Sequence, residues 1–240
     1  MDTRILAEAK KDIPLYLNDF ESYWNSVVNN INDRDLIDCY HATLIYKNWK
    51  QSLNHLRITS MDILLDELHE DINTSFFQSY LGLYRTAHMH LRSLIELSMQ
   101  MAYFYQHEIE YMQWKDGDFI IKHDTLNNYL KKHPNFVGTS AFIDELTSYW
   151  KKFSKHIHAE APMFFQSKKI ASTTKTFSIG DFNIWKNNFL KASYLTNKLF
   201  LLLFKDKITL FPETERRILL KNHTIKRVFE QNRAIQLIVS

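Results

Sequence analysis

Leu91-Arg-Ser-Leu-Ile-Glu-Leu-Ser-Met-Gln-Met-Ala-Tyr-Phe-Tyr105 is apolar nearly all the way round a helical wheel, yet it carries Arg92 and Glu96 one turn apart. A helix without a polar face is normally buried, and charged groups in such a place are paired or put to use. The stretch therefore predicts a central helix of a helical core, with its ion pair as the first candidate for function. Upstream, Asn73-Thr-Ser75 offers a cap, so the spacing predicts one long helix over about 75–107.

The rest of the chain follows the same pattern. Only four Gly and four Pro occur in 240 residues, whereas sheets and barrels draw on both for their many turns. Helical periodicity over about 4–55 is broken at Asn29-Asn-Ile-Asn-Asp33, where Asn and Asp suit a turn and the next cap. Thr59 or Ser60 is the expected cap of a helix carrying Leu64, Leu65 and Leu68. Asp116-Gly117 ends a short continuation of the long helix, and Pro134 closes another over 124–133. Thr139-Ser140 caps a helix running to about residue 160, and 163–180 reads as a loop. Asp181 then caps a helix to about residue 205, followed by helices over 213–221 and 224–238. The predicted fold class is all-α: a bundle over 75–240 with an N-terminal helical layer, 1–74, packed on it.

Charge and cysteine content narrow the classes. Thirty basic residues are interspersed with 27 acidic ones, giving a net charge of +3 and a pI near 8.7, short of the strongly basic stripe of a dedicated nucleic-acid domain. Cys39 is alone, which excludes an intrachain disulfide and points to a reducing compartment. The start has no signal-peptide pattern, and no stretch reaches the ~18 consecutive apolar residues of a membrane span. The expectation is a soluble, cytoplasmic protein with no membrane partner. No phosphate loop, dinucleotide turn, nucleophile elbow or zinc-protease string occurs, so no cofactor is expected.

Two constellations carry chemistry. Arg85, His88, Arg92, Glu96 and Gln100 form a polar strip along the long helix, and the apolar residues around Arg92 and Glu96 predict a desolvated pair. The second is Tyr149-Trp-Lys-Lys-Phe-Ser-Lys-His-Ile-His-Ala-Glu160. Histidines two apart on a helix point about 200° apart, so His156 and His158 cannot share a metal ion, and neither can His88 and His90. Tyr149, Phe153 and Ile157 form an apolar edge, which predicts that His158 and Ser154 face the interior while His156 projects elsewhere. A core histidine bonded to a carboxylate and a catalytic histidine remain open readings of His158, with Glu96 the natural partner in either.

Leu91-Arg-Ser-Leu-Ile-Glu96, Tyr103-Phe-Tyr-Gln-His-Glu-Ile-Glu-Tyr-Met-Gln-Trp-Lys-Asp-Gly117 and Tyr149-Trp-Lys-Lys-Phe-Ser-Lys-His-Ile-His158 together resemble the HEPN superfamily, and within it the members associated with bacterial defence and abortive infection. The resemblance spans about 75–238. It implies a four- or five-helix bundle and, in active members, a dimeric, metal-independent ribonuclease. Their signature is an arginine followed four to six residues later by a histidine. The types fit the chemistry: an imidazole exchanges the proton of a ribose 2′-hydroxyl near neutral pH, and a guanidinium stabilises phosphate charge.

This chain places Lys151 and Lys152 where the signature has its arginine, and lysine lacks the bidentate fork. Either Arg92 substitutes for it, or the module binds without cutting. The resemblance thus implies His158 as general acid/base, Arg92 as phosphate stabiliser and Glu96 as the group orienting one of them. Lys152, Lys155 and His156 would contact phosphate or RNA, with no metal. The implied partners are a second copy or a protein from the same operon, with RNA as substrate. A non-catalytic subunit that binds a defence enzyme or a toxin is the competing expectation.

Overall fold

The computed structural model describes residues 3–158, 160 and 177–220. These form helices α1 (Thr3–Asn30), α2 (Asp33–His55), α3 (Asp62–Tyr80), α4 (Tyr84–Phe104), α5 (Glu108–Asp116), α6 (His123–Lys132), α7 (Ser140–His158), α8 (Ile179–Leu203) and α9 (Glu213–Leu220). Single 3-10 turns lie at Pro134–Phe136 and Ile208–Leu210, and there is no strand among the described residues. The fold is all-α.

The central helix is α4, as its composition requires. It packs against α3, α6, α7 and α8, and buries Leu91, Leu94, Ile95, Met99, Met101 and Ala102 completely. One apolar core runs from Cys39 on α2 to Leu219 on α9. Trp49 sits within it against Phe200, Phe204 and Phe211, and its indole N–H donates to Asn197 Oδ1 at 2.7 Å. Tyr46 and Thr196 share a hydroxyl–hydroxyl hydrogen bond beside it. Buried polar groups of this kind are tolerated because they are paired.

The predicted helix over 75–107 is two helices. Asn73, Thr74 and Ser75 lie inside α3, and the chain breaks at Leu81–Leu83 instead. Gly82 is the cause: its φ is +69°, and a Cβ there would stand 2.6 Å from Tyr23 Cζ. Only glycine supplies both the left-handed backbone and the room for the Tyr23 ring. The division at 74/75 therefore falls within α3, and α2 and α3 share the core of the later helices.

Smaller boundaries also differ. Neither Thr59 nor Ser60 caps α3, which starts after Met61 with no side-chain cap. The cap of α8 is Ser178, whose hydroxyl accepts from the Asp181 N–H, so Asp181 sits in the first turn. Asn32 caps α2 by accepting from the Asp35 N–H, and Gly117 ends α5 with φ +84°. The expected helix over 224–238 and most of the expected loop over 163–180 lie outside the described residues.

α1 differs from the others. Tyr23 and Val27 bury themselves against Tyr80 in a small separate cluster, while the described side chains of residues 3–18 are exposed except for half-buried Ala9. No described helix is long and apolar enough to cross a membrane.

Candidate functional site

The last three turns of α7 lie along α4, and the two helices hold two polar clusters. The first forms around the predicted ion pair. Arg92 Nη1 meets Glu96 Oε2 at 2.9 Å, and Arg92 Nε donates to Ser154 Oγ at 3.1 Å. The Ser154 hydroxyl in turn donates to the Trp150 carbonyl at 2.9 Å, one turn back, and the Trp150 indole N–H donates to Glu96 Oε2 at 3.2 Å. The guanidinium lies 4.9 Å from the Trp150 ring centre, a cation–π contact. His123, at the start of α6, stacks on the same indole at 3.9 Å. Burial lowers the pKa of His123, while the Glu96 carboxylate pulls it the other way. The His123 Nε2 is buried without a hydrogen-bond partner among the described residues. Arg92 and Glu96 are each 27% exposed, so the pair is half-buried and still reached by water.

The second cluster lies toward the start of α4 and is neutral at its centre. His88 Nδ1–H donates to the Tyr84 carbonyl at 2.6 Å, which leaves Nε2 to accept from the Asn188 amide at 2.9 Å. Asn188 Oδ1 in turn accepts from the Lys152 ammonium at 2.7 Å. His156 stacks face to face on His88, with centroids 4.1 Å apart and planes 3° from parallel. Burial, with His156 as a smaller cause, drives the His88 pKa down to about 3. Burial, then Lys152 and Arg85, lowers that of His156 to about 4. Two stacked imidazoles beside a lysine cannot both hold protons near neutral pH.

Arg85 closes the end of α7. Its Nε donates to the His156 carbonyl at 2.9 Å and its Nη2 to the Ile157 carbonyl at 3.0 Å. A helix C-terminus leaves carbonyls unsatisfied and carries partial negative charge, so a guanidinium is the complementary partner.

The predicted residues sort as follows. Arg92 and Glu96 form one cluster with Ser154; Lys152 and His156 belong to the other. His158 does not face the interior: it is exposed on the last turn of α7, and half-buried His156 takes the inward position. The reason is the His88 ring on α4, which offers a flat stacking surface to the residue three beyond buried Phe153. Glu96 bonds Arg92 and Trp150 rather than serving a histidine of α7. Lys155 is exposed. Gln100, the last of the predicted strip, is half-buried, and its amide oxygen has no hydrogen-bond partner among the described residues.

Sequence reading missed Trp150, Asn188 and His123. An available signal for Asn188 is a lone amide among Trp185, Phe189 and Ala192 on one apolar helix face. Among the described residues, no group of three or more His, Cys, Asp or Glu side chains could hold a metal ion. Comparison of the chain with family models, curated proteins and solved structures gives no match in any of the three.

Proposed function

We propose that the α4–α7 seam is a phosphate-binding face for RNA in a HEPN-like component of a bacterial anti-phage defence or toxin system, and that it cleaves RNA without a metal ion. The observation carrying this reading is that Arg85, Arg92, Lys152 and His156 lie together along two packed helices. Such a cluster suits a polyanion with charge-assisted contacts. His156, neutral at pH 7, is the base that takes the ribose 2′-hydroxyl proton. The freed oxygen attacks the adjacent phosphorus, the bond to the 5′-oxygen breaks, and that leaving oxygen takes a proton from water. Products would carry a 2′,3′-cyclic phosphate and a 5′-hydroxyl.

A second reading is favoured by a specific observation: Arg85, Arg92 and Lys152 each already hold an internal partner. On that reading the module binds a defence enzyme or a toxin and does not cut. RNA incubated with purified protein in excess chelator separates the two. Cleavage that falls at least tenfold in His156→Ala supports the nuclease. Equal cleavage by wild type and both the His156→Ala and His158→Ala variants sinks it, and no cleavage at all leaves the binding role.

A further inference from the structure

We infer that the projecting half of α1 pairs antiparallel with the α1 of a second copy of this chain. Residues 3–18 reach about 24 Å at 1.5 Å per residue, and their described side chains are exposed apart from half-buried Ala9. Leu6, Ile13, Leu17 and Trp24 fall within about 40° of one another on a 3.6-residue wheel, so they form one stripe. Ile13 and Leu17 are 58% and 64% exposed. An apolar stripe of this length on a helix signals an interface.

The stripe ends beside an interface that already exists on the adjoining face of α1. At its root, Tyr23 and Val27 are buried against Tyr80, and the Trp24 ring lies 5.5 Å from Tyr80 and 6.3 Å from Phe77. Phe77 is 56% exposed, so the root ends in an aromatic shelf with room above it. Antiparallel pairing sets Leu6 of each copy on the other's Trp24 and Phe77, and Ile13 against Leu17. A two-fold axis then repeats every contact, as an isologous dimer requires.

Charge favours the same direction. Residues 3–14 carry three basic side chains, Arg4, Lys10 and Lys11, against Glu8 and Asp12, while residues 15–30 carry only Asp19 and Glu21. A positive tip therefore lies over a negative root in the antiparallel arrangement, and like lies over like in the parallel one. Lys10 and Glu21 share one edge of the stripe and face each other across the axis. Asp12 and Asp19 lie on the opposite edge, farther from the seam. The helix dipoles also oppose one another in this arrangement.

Sedimentation of the full chain over a range of concentrations tests the inference. Wild type should sediment as a dimer at micromolar concentration, and Ile13→Glu or Leu17→Glu should be monomeric with unchanged helical circular dichroism. Lys10→Glu should weaken the dimer at least tenfold, and Lys10→Glu with Glu21→Lys should restore it. A wild-type monomer, with or without binding of its α1 stripe to anionic vesicles, overturns the inference. So does a dimer indifferent to Ile13→Glu, and a dimer indifferent to Lys10→Glu overturns the antiparallel direction. The RNA assay does not enter, so this result stands or falls apart from the proposed nuclease.

Discussion

Two clusters on the same pair of helices treat charge in opposite ways. Around Arg92, water still reaches both partners of the ion pair, and an indole and a hydroxyl complete their bonds. Around His88, the ring is almost wholly buried, and the chain discards the charge: burial and two neighbouring cations hold both imidazoles neutral. One turn of α4 separates the ion pair of Arg92 from the uncharged His88. Solvent access decides between the two outcomes, since desolvating an ion costs more than most single contacts return.

Acid should break this contrast most severely. The pKa values of His88 and His156 in the folded chain, about 3 and about 4, lie below their unfolded value of 6.5. Between about pH 4 and 6.5 the unfolded chain therefore binds more protons than the folded one. Stability from these groups is complete above pH 6.5 and is lost as pH falls through that window. Thermal melts at half-unit steps should show the steepest fall there, and His88→Phe should flatten it. A wild-type melting temperature that is level from pH 7 to 4.5 would contradict the neutral stack.

Asn188→Leu should have the next largest effect. The change keeps the shape but strands the almost wholly buried His88 Nε2, while the exposed Lys152 ammonium turns to water. A buried polar group left unpaired costs about 1–3 kcal/mol, so a loss toward the upper end of that range is expected by urea unfolding. Arg85→Met should follow at about 2 kcal/mol, because two α7 carbonyls lose charge-assisted bonds in a part-buried place. Its signature is local: amide exchange should rise in the last turn of α7 before it rises elsewhere.

The all-α class was legible because it rests on local signals: periodicity, scarce Gly and Pro, and stops such as Gly117. The seam was legible in part. Arg92 and Glu96 are an i, i+4 pair, and that rule belongs to a single helix. The break at Gly82 was not readable, because it depends on the Tyr23 ring arriving from 59 residues upstream. The inward histidine of α7 was misread for a similar reason. The edge of Tyr149, Phe153 and Ile157 leaves both histidines as flanking choices, and only the His88 ring on α4 decides for His156. Asn188 escaped notice because its two partners stand 100 and 36 residues away, on α4 and α7.

The smallest effect belongs to the ionised cluster, and it is the most discriminating. Glu96→Gln keeps an oxygen for the Trp150 indole but removes the charge facing Arg92. Because both groups are partly in water, the loss should stay below about 1 kcal/mol. The informative readout is His123, which stacks on Trp150 and whose proton affinity the Glu96 carboxylate supports against burial. With that carboxylate gone, Arg92 and Lys151 bear on the imidazole unopposed by Glu96, and its pKa should fall further. Titration of the His123 ring protons by NMR would show the shift. A His123 titration unchanged by Glu96→Gln would mean that water screens the carboxylate fully. The cluster would then be a surface ion pair resting on an indole, and the difference between the two turns of the seam would be one of burial alone.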